Sequence, residues 1–461
     1  MFLPQHILSE LSEMFRLACP LVLTQLAWVA MLATDTAMIG HLGSKELAGA
    51  TLSLMVYFII YVSCVGLTAS TASLAAQHYG AGKKNMVRRV IRQGLWVAFF
   101  LTFPCVAALS FLEWFLVLIG QPAAALPHAN SYMSTLKWSL PFAVAFTVLR
   151  NFVSALNRPM VAFWIMLTGV FLNAFLDYAL IFGKFGLPRL ELIGAGISTT
   201  SVNVFMLGFL LVLTVRLKPY RNYRILSRFF RPDWLVFKRI FRIGLPIAAM
   251  SLMEAGFFIA VAFVMGLFGV TALAAHMIAI QLPHISYMVP MGLGQAATVL
   301  VGQAVGRQDI VTAYRIGWMV SAVALIFMSA ATVLILIIPE TFVSIFIDQS
   351  LTFNVPVMEL AVSFLLFAAF FQLADGIQAV IAGALRGLND TFRPMLIAAL
   401  SYWVFGLGLG VILAFKTELG ATGLWIGFVA GLSAAALLLT VRFLYLQKKC
   451  YMPMVLSSNY E

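Results

Sequence analysis

The sequence predicts an all-α polytopic membrane protein: twelve transmembrane helices in two six-helix lobes related by a parallel internal repeat. Three observations lead there. The 461-residue chain is 62% hydrophobic and 10% charged, with a mean hydropathy of +0.99, whereas soluble domains are roughly 45–50% apolar and about 25% charged. Long apolar runs recur, punctuated by Gly, Pro and charge. The two halves of the chain also match each other at a constant offset.

The composition excludes a soluble globular domain and a disordered chain. It argues against a membrane β-barrel, whose strands carry only a weak alternating signal. In hydrocarbon a segment has to satisfy its own backbone polar groups, which favours helices. A spanning helix takes about 20 apolar residues. No long polar stretch remains for a folded domain outside the membrane, so an enzyme domain on an anchor is not expected.

The candidate spans are 16–39, 52–78, 90–119, 128–156, 160–183, 191–216, 240–268, 273–303, 313–338, 355–386, 393–415 and 420–446. Basic residues test this register and orient it. With the N-terminus in the cytoplasm, all but five of the 29 Lys and Arg fall on the cytoplasmic side. The five outside are Lys45, Lys137, Lys184, Arg189 and Lys416. That asymmetry follows the positive-inside rule and places both termini in the cytoplasm. It also accounts for the net charge of +12 without invoking nucleic acid. Three domains result: an N-terminal lobe over 1–216, a basic cytoplasmic linker over 217–239 and a C-terminal lobe over 240–461. The linker "KPYRNYRILSRFFRPDW" reads as an interfacial loop held to anionic headgroups, with a specific lipid or regulatory site as the alternative.

The repeat is gapless over two helices. At an offset of 226, Arg16 pairs with Arg242, Pro20 with Pro246, Gly40 with Gly266, Gly43 with Gly269, Gly66 with Gly292, Gln77 with Gln303 and Arg89 with Arg315. Gly194 and Ala195 later match Gly420 and Ala421 in the same register. The offset joins the first span to the seventh, an even number of crossings. Equivalent helices therefore run the same way, about an axis along the membrane normal.

Four acids lie well inside apolar spans: Asp35, Asp177, Glu254 and Asp375, two in each half. An ionisable group there costs on the order of 3 kcal/mol, so a functional role facing a cavity is the default reading. Asp35 sits between Thr34 and Thr36; Asp177 follows Asn173 by one helical turn. Two carboxylates and an amide form a candidate proton-linked pocket, since crowded carboxylates share protons readily. Glu254 and Asp375 have no basic residue within their span interiors. A cation such as Na⁺ suits their oxygens, by analogy with other hard cations. Tyr287 and Gln281 either add ligands or are ordinary satisfied polar groups.

His276 is either a proton carrier or a packed polar residue. Met253, Phe257, Phe258 and Tyr287 either face lipid and neighbouring helices or line an adaptable cavity. Such a cavity beside carboxylates favours organic cations. The four cysteines show no metal or disulfide spacing. The N-terminal segment lacks the cleavage pattern of a signal peptide. No Walker A motif is present, so an ion gradient is the expected energy source.

The stretches "DTAMIGHLGSKELAGATLS", "GLTASTASLAAQHYGAGK", "VGQAVGRQD" and "LRGLNDTFRPM" resemble the multidrug and toxic compound extrusion (MATE) family over nearly the whole chain. Carboxylates in both lobes are similar to its NorM-like bacterial branch. The resemblance implies two lobes around a central cavity and export of varied cationic drugs in exchange for Na⁺ or H⁺. It implies an N-lobe polar cluster of Asp35, Asn173 and Asp177. It implies a C-lobe cation site at Glu254, Asp375 and Tyr287, with Ser201 or Thr200 where the family often has a threonine. Two positions depart. Met277 follows "AAH" where glutamine is frequent, and Phe371 offers no hydroxyl one turn before Asp375. Both leave H⁺ open beside Na⁺.

The expectation is therefore a monomeric multidrug efflux antiporter of the bacterial inner membrane. Its partners are small cationic drugs and membrane lipids, with no nucleic acid, no cofactor and no enzymatic activity. Met253, Phe257, Phe258, Gln281, His276 and Ser201 are its candidate cavity residues. A lipid-linked precursor flippase is the alternative. It calls for a basic cavity to hold pyrophosphate, whereas the intramembrane charges here are acidic.

Overall fold

The computed structural model describes residues 5–347 and 355–458, with side chains over 9–347 and 355–450. The described residues form helices and no strands. In chain order the helices are α1 (Gln5–Gly40), α2 (Ser44–Thr68), α3 (Ser70–Gly80), α4 (Lys84–Leu109), α5 (Leu112–Leu118), α6 (Leu126–Leu136), α7 (Ser139–Ala155), α8 (Met160–Phe182) and α9 (Glu191–Arg216). They continue as α10 (Trp234–Gly266), α11 (Val270–Gly306), α12 (Ile310–Ile337), α13 (Pro339–Ser344), α14 (Val355–Gly387), α15 (Phe392–Ala399), α16 (Leu409–Lys416) and α17 (Ala421–Ser458). Among the described residues eleven helical stretches are long and apolar enough to cross a membrane, and a shorter apolar helix, Ser139–Ala155, stands in the region of the fourth expected span.

Four spans are less uniform than their hydropathy. The third is broken at Ser110 and Phe111, between α4 and α5. The fourth is broken at Lys137 and Trp138, between α6 and α7. Lys137 Nζ donates to Ser110 Oγ at 2.8 Å and lies over the exposed Trp138 ring, a pair suited to a membrane interface. The second runs on from α2 to α3 through Ala69, whose N–H still reaches Val65 O. The eleventh is α-helical at its ends but π-helical over Leu400–Gly408. A π stretch shifts the register of all that follows and recurs at functional sites.

The chain packs as two units, Leu23–Ala248 and Met1–Val22 with Ala249–Glu461. The boundaries fall inside α1 and α10, 226 residues apart, just after Pro20 and Pro246. The repeat is therefore present in the packing as well as in the sequence. In the first unit a β-carbon on Gly66 would lie 2.7 Å from Ala248 Cα; in the second, one on Gly292 would lie 2.7 Å from Val22 Cα. Only glycine permits backbones that close.

The unit Leu23–Ala248 buries Ile39, Ala50, Tyr132, Leu136, Ile181, Leu192 and Ala195 against one another. Hydroxyls stitch its helices: Ser53 donates to Ala129 O at 2.8 Å, and Tyr57 and Ser139 share a hydrogen bond of 2.6 Å. Asp233 precedes α10, receives the Val236 N–H and pairs with Arg89. Burial pushes this carboxyl up, but its bonds to Arg89 and Val236 outweigh that and hold it below the usual carboxylate range.

The other unit has an aromatic core. Trp425 stacks on Phe364 at 5.2 Å and on Phe371 at 6.0 Å, and Phe428 meets Phe257 at 5.0 Å. Asp309 caps α12 by accepting the Thr312 N–H, which with the Thr312 hydroxyl keeps its carboxyl low. Exposed Phe103, Phe171, Phe263 and Ile326 give the helices an apolar outer surface, as lipid requires.

Candidate functional site: two carboxylate clusters

The unit Ala249–Glu461 joins four of its helical stretches in one hydrogen-bonded network. Glu254 comes from α10, Tyr287 from α11, and Asp375 and Gln378 from α14. Tyr402 comes from the π stretch. Tyr287 donates to Glu254 Oε1 at 3.0 Å. Gln378 Nε2 donates to Asp375 Oδ1 at 2.9 Å and to Glu254 Oε1 at 3.3 Å. Tyr402 in turn donates to Gln378 Oε1 at 2.6 Å, fixing which end of that amide faces the carboxylates. One amide thus bridges both acids and is itself held by Tyr402.

Local sequence explains the placement. Asp375 and Gln378 are three residues apart, hence on one face of α14. Phe257, one turn beyond Glu254, stacks flat on Tyr402 with ring centroids 5.6 Å apart. The π stretch reaches α17 through glycines on both sides. A β-carbon on Gly427 would sit 2.5 Å from Gly406 O, and one on Gly431 would sit 2.7 Å from Gly406 Cα. Gly423, Gly427 and Gly431 are spaced by four, the small-residue stripe that lets membrane helices touch. That approach carries Tyr402 inward.

The unit Leu23–Ala248 holds the second cluster. Asp35 from α1 and Asn173 and Asp177 from α8 are all buried. Asp35 lies close enough to Asp177 and Asn173 to interact with both. Hydrogen bonding is sparse: Thr199 of α9 donates to Asp35 Oδ2 at 3.5 Å, and Asn173 Nδ2 to Ser198 Oγ at 3.4 Å. Asp35 Oδ1, Asn173 Oδ1, both carboxylate oxygens of Asp177 and the Tyr132 hydroxyl have no partner among the described residues. Buried oxygens of this kind call for a proton or a cation.

The expected residues divide accordingly. Glu254, Asp375 and Tyr287 form one cluster, and Asp35, Asn173 and Asp177 the other. Of the expected cavity residues, Phe257 and His276 lie in packed aromatic surroundings, His276 beside Trp425 at 5.4 Å. Met253 and Phe258 are half-buried, whereas Gln281 and Ser201 are exposed. The α9 hydroxyl that reaches Asp35 belongs to Thr199, and Thr200 donates instead to Thr135 O. Phe371, noted for its missing hydroxyl, is core packing, and Tyr402 brings a hydroxyl to the cluster from another helix. Arg386, beyond the interior of α14, also acts on Glu254 electrostatically. Gln378 had a sequence signal, since it shares a helix face with Asp375. Tyr402 had none beyond being polar in an apolar span.

Comparison with known proteins agrees with this architecture. The MatE family model matches residues 20–179 and 246–412, two segments that begin at the paired Pro20 and Pro246. A Bradyrhizobium diazoefficiens protein named "Probable multidrug resistance protein NorM" is 40% identical over 96% of this chain and 95% of its own. A Rhodopseudomonas palustris protein of the same name is 42% identical over 94% and 92%. Among solved structures, an outward-facing multidrug resistance MATE family transporter superposes with a TM-score of 0.86 at 22% identity, covering 95% of this chain and 96% of its own. A mutant Vibrio cholerae MATE transporter gives 0.87 at 17%, covering 96% and 98%. With a family model matching most of its length and relatives near 40% identity end to end, the chain belongs to the MatE family.

Proposed function

We propose that the protein is a multidrug efflux antiporter that exports organic cations across the bacterial cytoplasmic membrane in exchange for Na⁺ or H⁺. The observation that carries this reading is the network in which one amide bridges Glu254 and Asp375 inside helices that cross the membrane. Two acids held by shared neutral donors form a site that a cation can enter and leave. The names of the relatives support drugs as the cargo. A pyrophosphate-carrying flippase is not favoured, because both clusters are acidic. The protein is a transporter rather than an enzyme, acts as a monomer and has both termini in the cytoplasm, the side to which the basic residues point.

Mechanistically, the coupling ion neutralises the carboxylates in one arrangement of the lobes, and drug binds the other arrangement more tightly. Exchange follows because a ligand shifts an equilibrium only by its differential affinity for the two states. Proteoliposomes with an imposed Na⁺ or H⁺ gradient test the reading: one gradient drives drug efflux, and failure of both overturns it. Glu254→Gln and Asp375→Asn each abolish coupled efflux at normal expression. Radiolabelled sodium binding, set against proton release on drug addition, identifies the ion.

A further inference from the structure

The linker side of the unit Leu23–Ala248 holds a cluster of cations that transport does not use. Arg88 and Arg92 lie one turn apart on the same face of α4, about one and two turns in from Lys84. Like charges so placed repel. Arg92 is only 4% exposed. Its Nη1 donates to Arg228 O at 3.0 Å, but its Nε is buried with no partner among the described residues. The Nε of half-buried Arg88 is in the same condition. Around Arg92 lie Arg88, Arg89 and Arg231 against a single acid, Asp233, which Arg89 already engages. A buried guanidinium cluster with so little counter-charge lacks an anion.

The segment over this cluster is fixed rather than loose. Trp96 Nε1 donates to Phe229 O at 2.9 Å and stacks on the Phe229 ring at 5.2 Å, while Gln93 reaches Arg231 O at 3.4 Å. Beside it Phe230, Trp234 and Leu235 are 84%, 66% and 72% exposed. Exposed aromatic and aliphatic side chains next to cations, on a membrane protein, sit at the headgroup level. Guanidinium forks match phosphate oxygens, and the apolar rim matches acyl chains. A free phosphate would satisfy the first feature and leave the second unexplained.

We propose that Arg88 and Arg92, under the linker residues 225–233, bind the phosphate of an acidic phospholipid. Phe230, Trp234 and Leu235 then lie along its chains. The inference rests on the membrane-spanning fold and is independent of what the protein transports.

Native mass spectrometry of the full chain in detergent tests it, with phosphatidylglycerol, phosphatidylcholine and inorganic phosphate as probes. Wild type retains phosphatidylglycerol in preference to phosphatidylcholine, and its melting temperature rises with phosphatidylglycerol and not with inorganic phosphate. Arg88→Gln with Arg92→Gln lowers the phosphatidylglycerol affinity by about tenfold or more, the loss expected for charge-assisted hydrogen bonds. The exposed change Phe230→Ser weakens phosphatidylglycerol without creating any response to phosphate. Arg221→Gln, also exposed and basic, changes nothing. Should the double variant fail to fold, Arg88→Gln alone, at a half-buried side chain, still lowers the affinity. Equal binding of both lipids, unchanged binding in the arginine variants, or the same stabilisation by inorganic phosphate overturns the proposal.

Discussion

Two carboxylate clusters, one in each unit of a duplicated chain, have been finished differently. Around Glu254 and Asp375 the neutral donors Tyr287 and Gln378 are aimed at the acids, and Tyr402 locks the amide. Around Asp35 and Asp177 the donors are few and distant, and three carboxylate oxygens have no partner among the described residues. The first arrangement gives its acids fixed neutral donors. The second leaves its buried oxygens short of donors among the described residues. Duplication supplied the scaffold twice, and a few side chains then gave each copy its own chemistry.

The contrast predicts unequal responses to matched changes. The largest effect is expected from Gln378→Leu, which strips both acids of their shared donor. Its cost is on the order of 3 kcal/mol, seen as a fall of several degrees in thermal unfolding with loss of drug efflux. Asn173→Leu, whose amide makes only a 3.4 Å bond, costs about 1 kcal/mol. Equal losses would erase the distinction between the clusters.

The two buried tyrosines give a cleaner pair. Tyr402→Phe removes a 2.6 Å bond and lowers stability by about 1–1.5 kcal/mol. Tyr132→Phe removes a hydroxyl with no partner among the described residues and leaves stability unchanged or slightly higher. Chemical or thermal unfolding of both in the same detergent decides the matter, and a costly Tyr132→Phe would mean that its cluster is satisfied after all.

An acid outside the membrane serves as a reference. Asp233 is held below the ordinary carboxylate range, so its contribution is fully present above about pH 4. It is lost as pH falls through the lowered folded value. Asp233→Asn therefore costs about 1 kcal/mol or less at neutral pH, since the partner Arg89 is 41% exposed. The gap from wild type closes in acid. Melting curves from neutral pH down to about pH 3 check this; a gap that widens in acid would contradict it.

Much of the fold was legible because lipid is an unforgiving solvent. Apolar length marked the spans, and forbidden charge marked Asp35, Asp177, Glu254 and Asp375. Rotation about a helix was harder to read. Neighbouring residues differ by about 100°, so choosing between Thr199, Thr200 and Ser201 as the partner of Asp35 needed the packing of α9. Tyr402 was invisible for a second reason. The π stretch moves it off the face that a regular helix would give it, and glycines on two different helices permit that approach. The break at Lys137 and Trp138 was hidden because a single charge interrupts a stretch that otherwise reads as one span.

The division of α1 and α10 between the two packing units bears on how the protein is made. Residues up to Val22 are made before Leu23–Ala248, yet pack with Ala249–Glu461, which is made after it. The face of α1 that meets Gly292 has to wait for the whole of the other unit to be made first. Contacts so distant in sequence form late and slowly, and such waiting surfaces invite mispairing. The second unit is finished only by a segment synthesised before the first, so the halves mature as one object. Severing the linker would yield two fragments, each carrying a helix end that belongs in the other's fold.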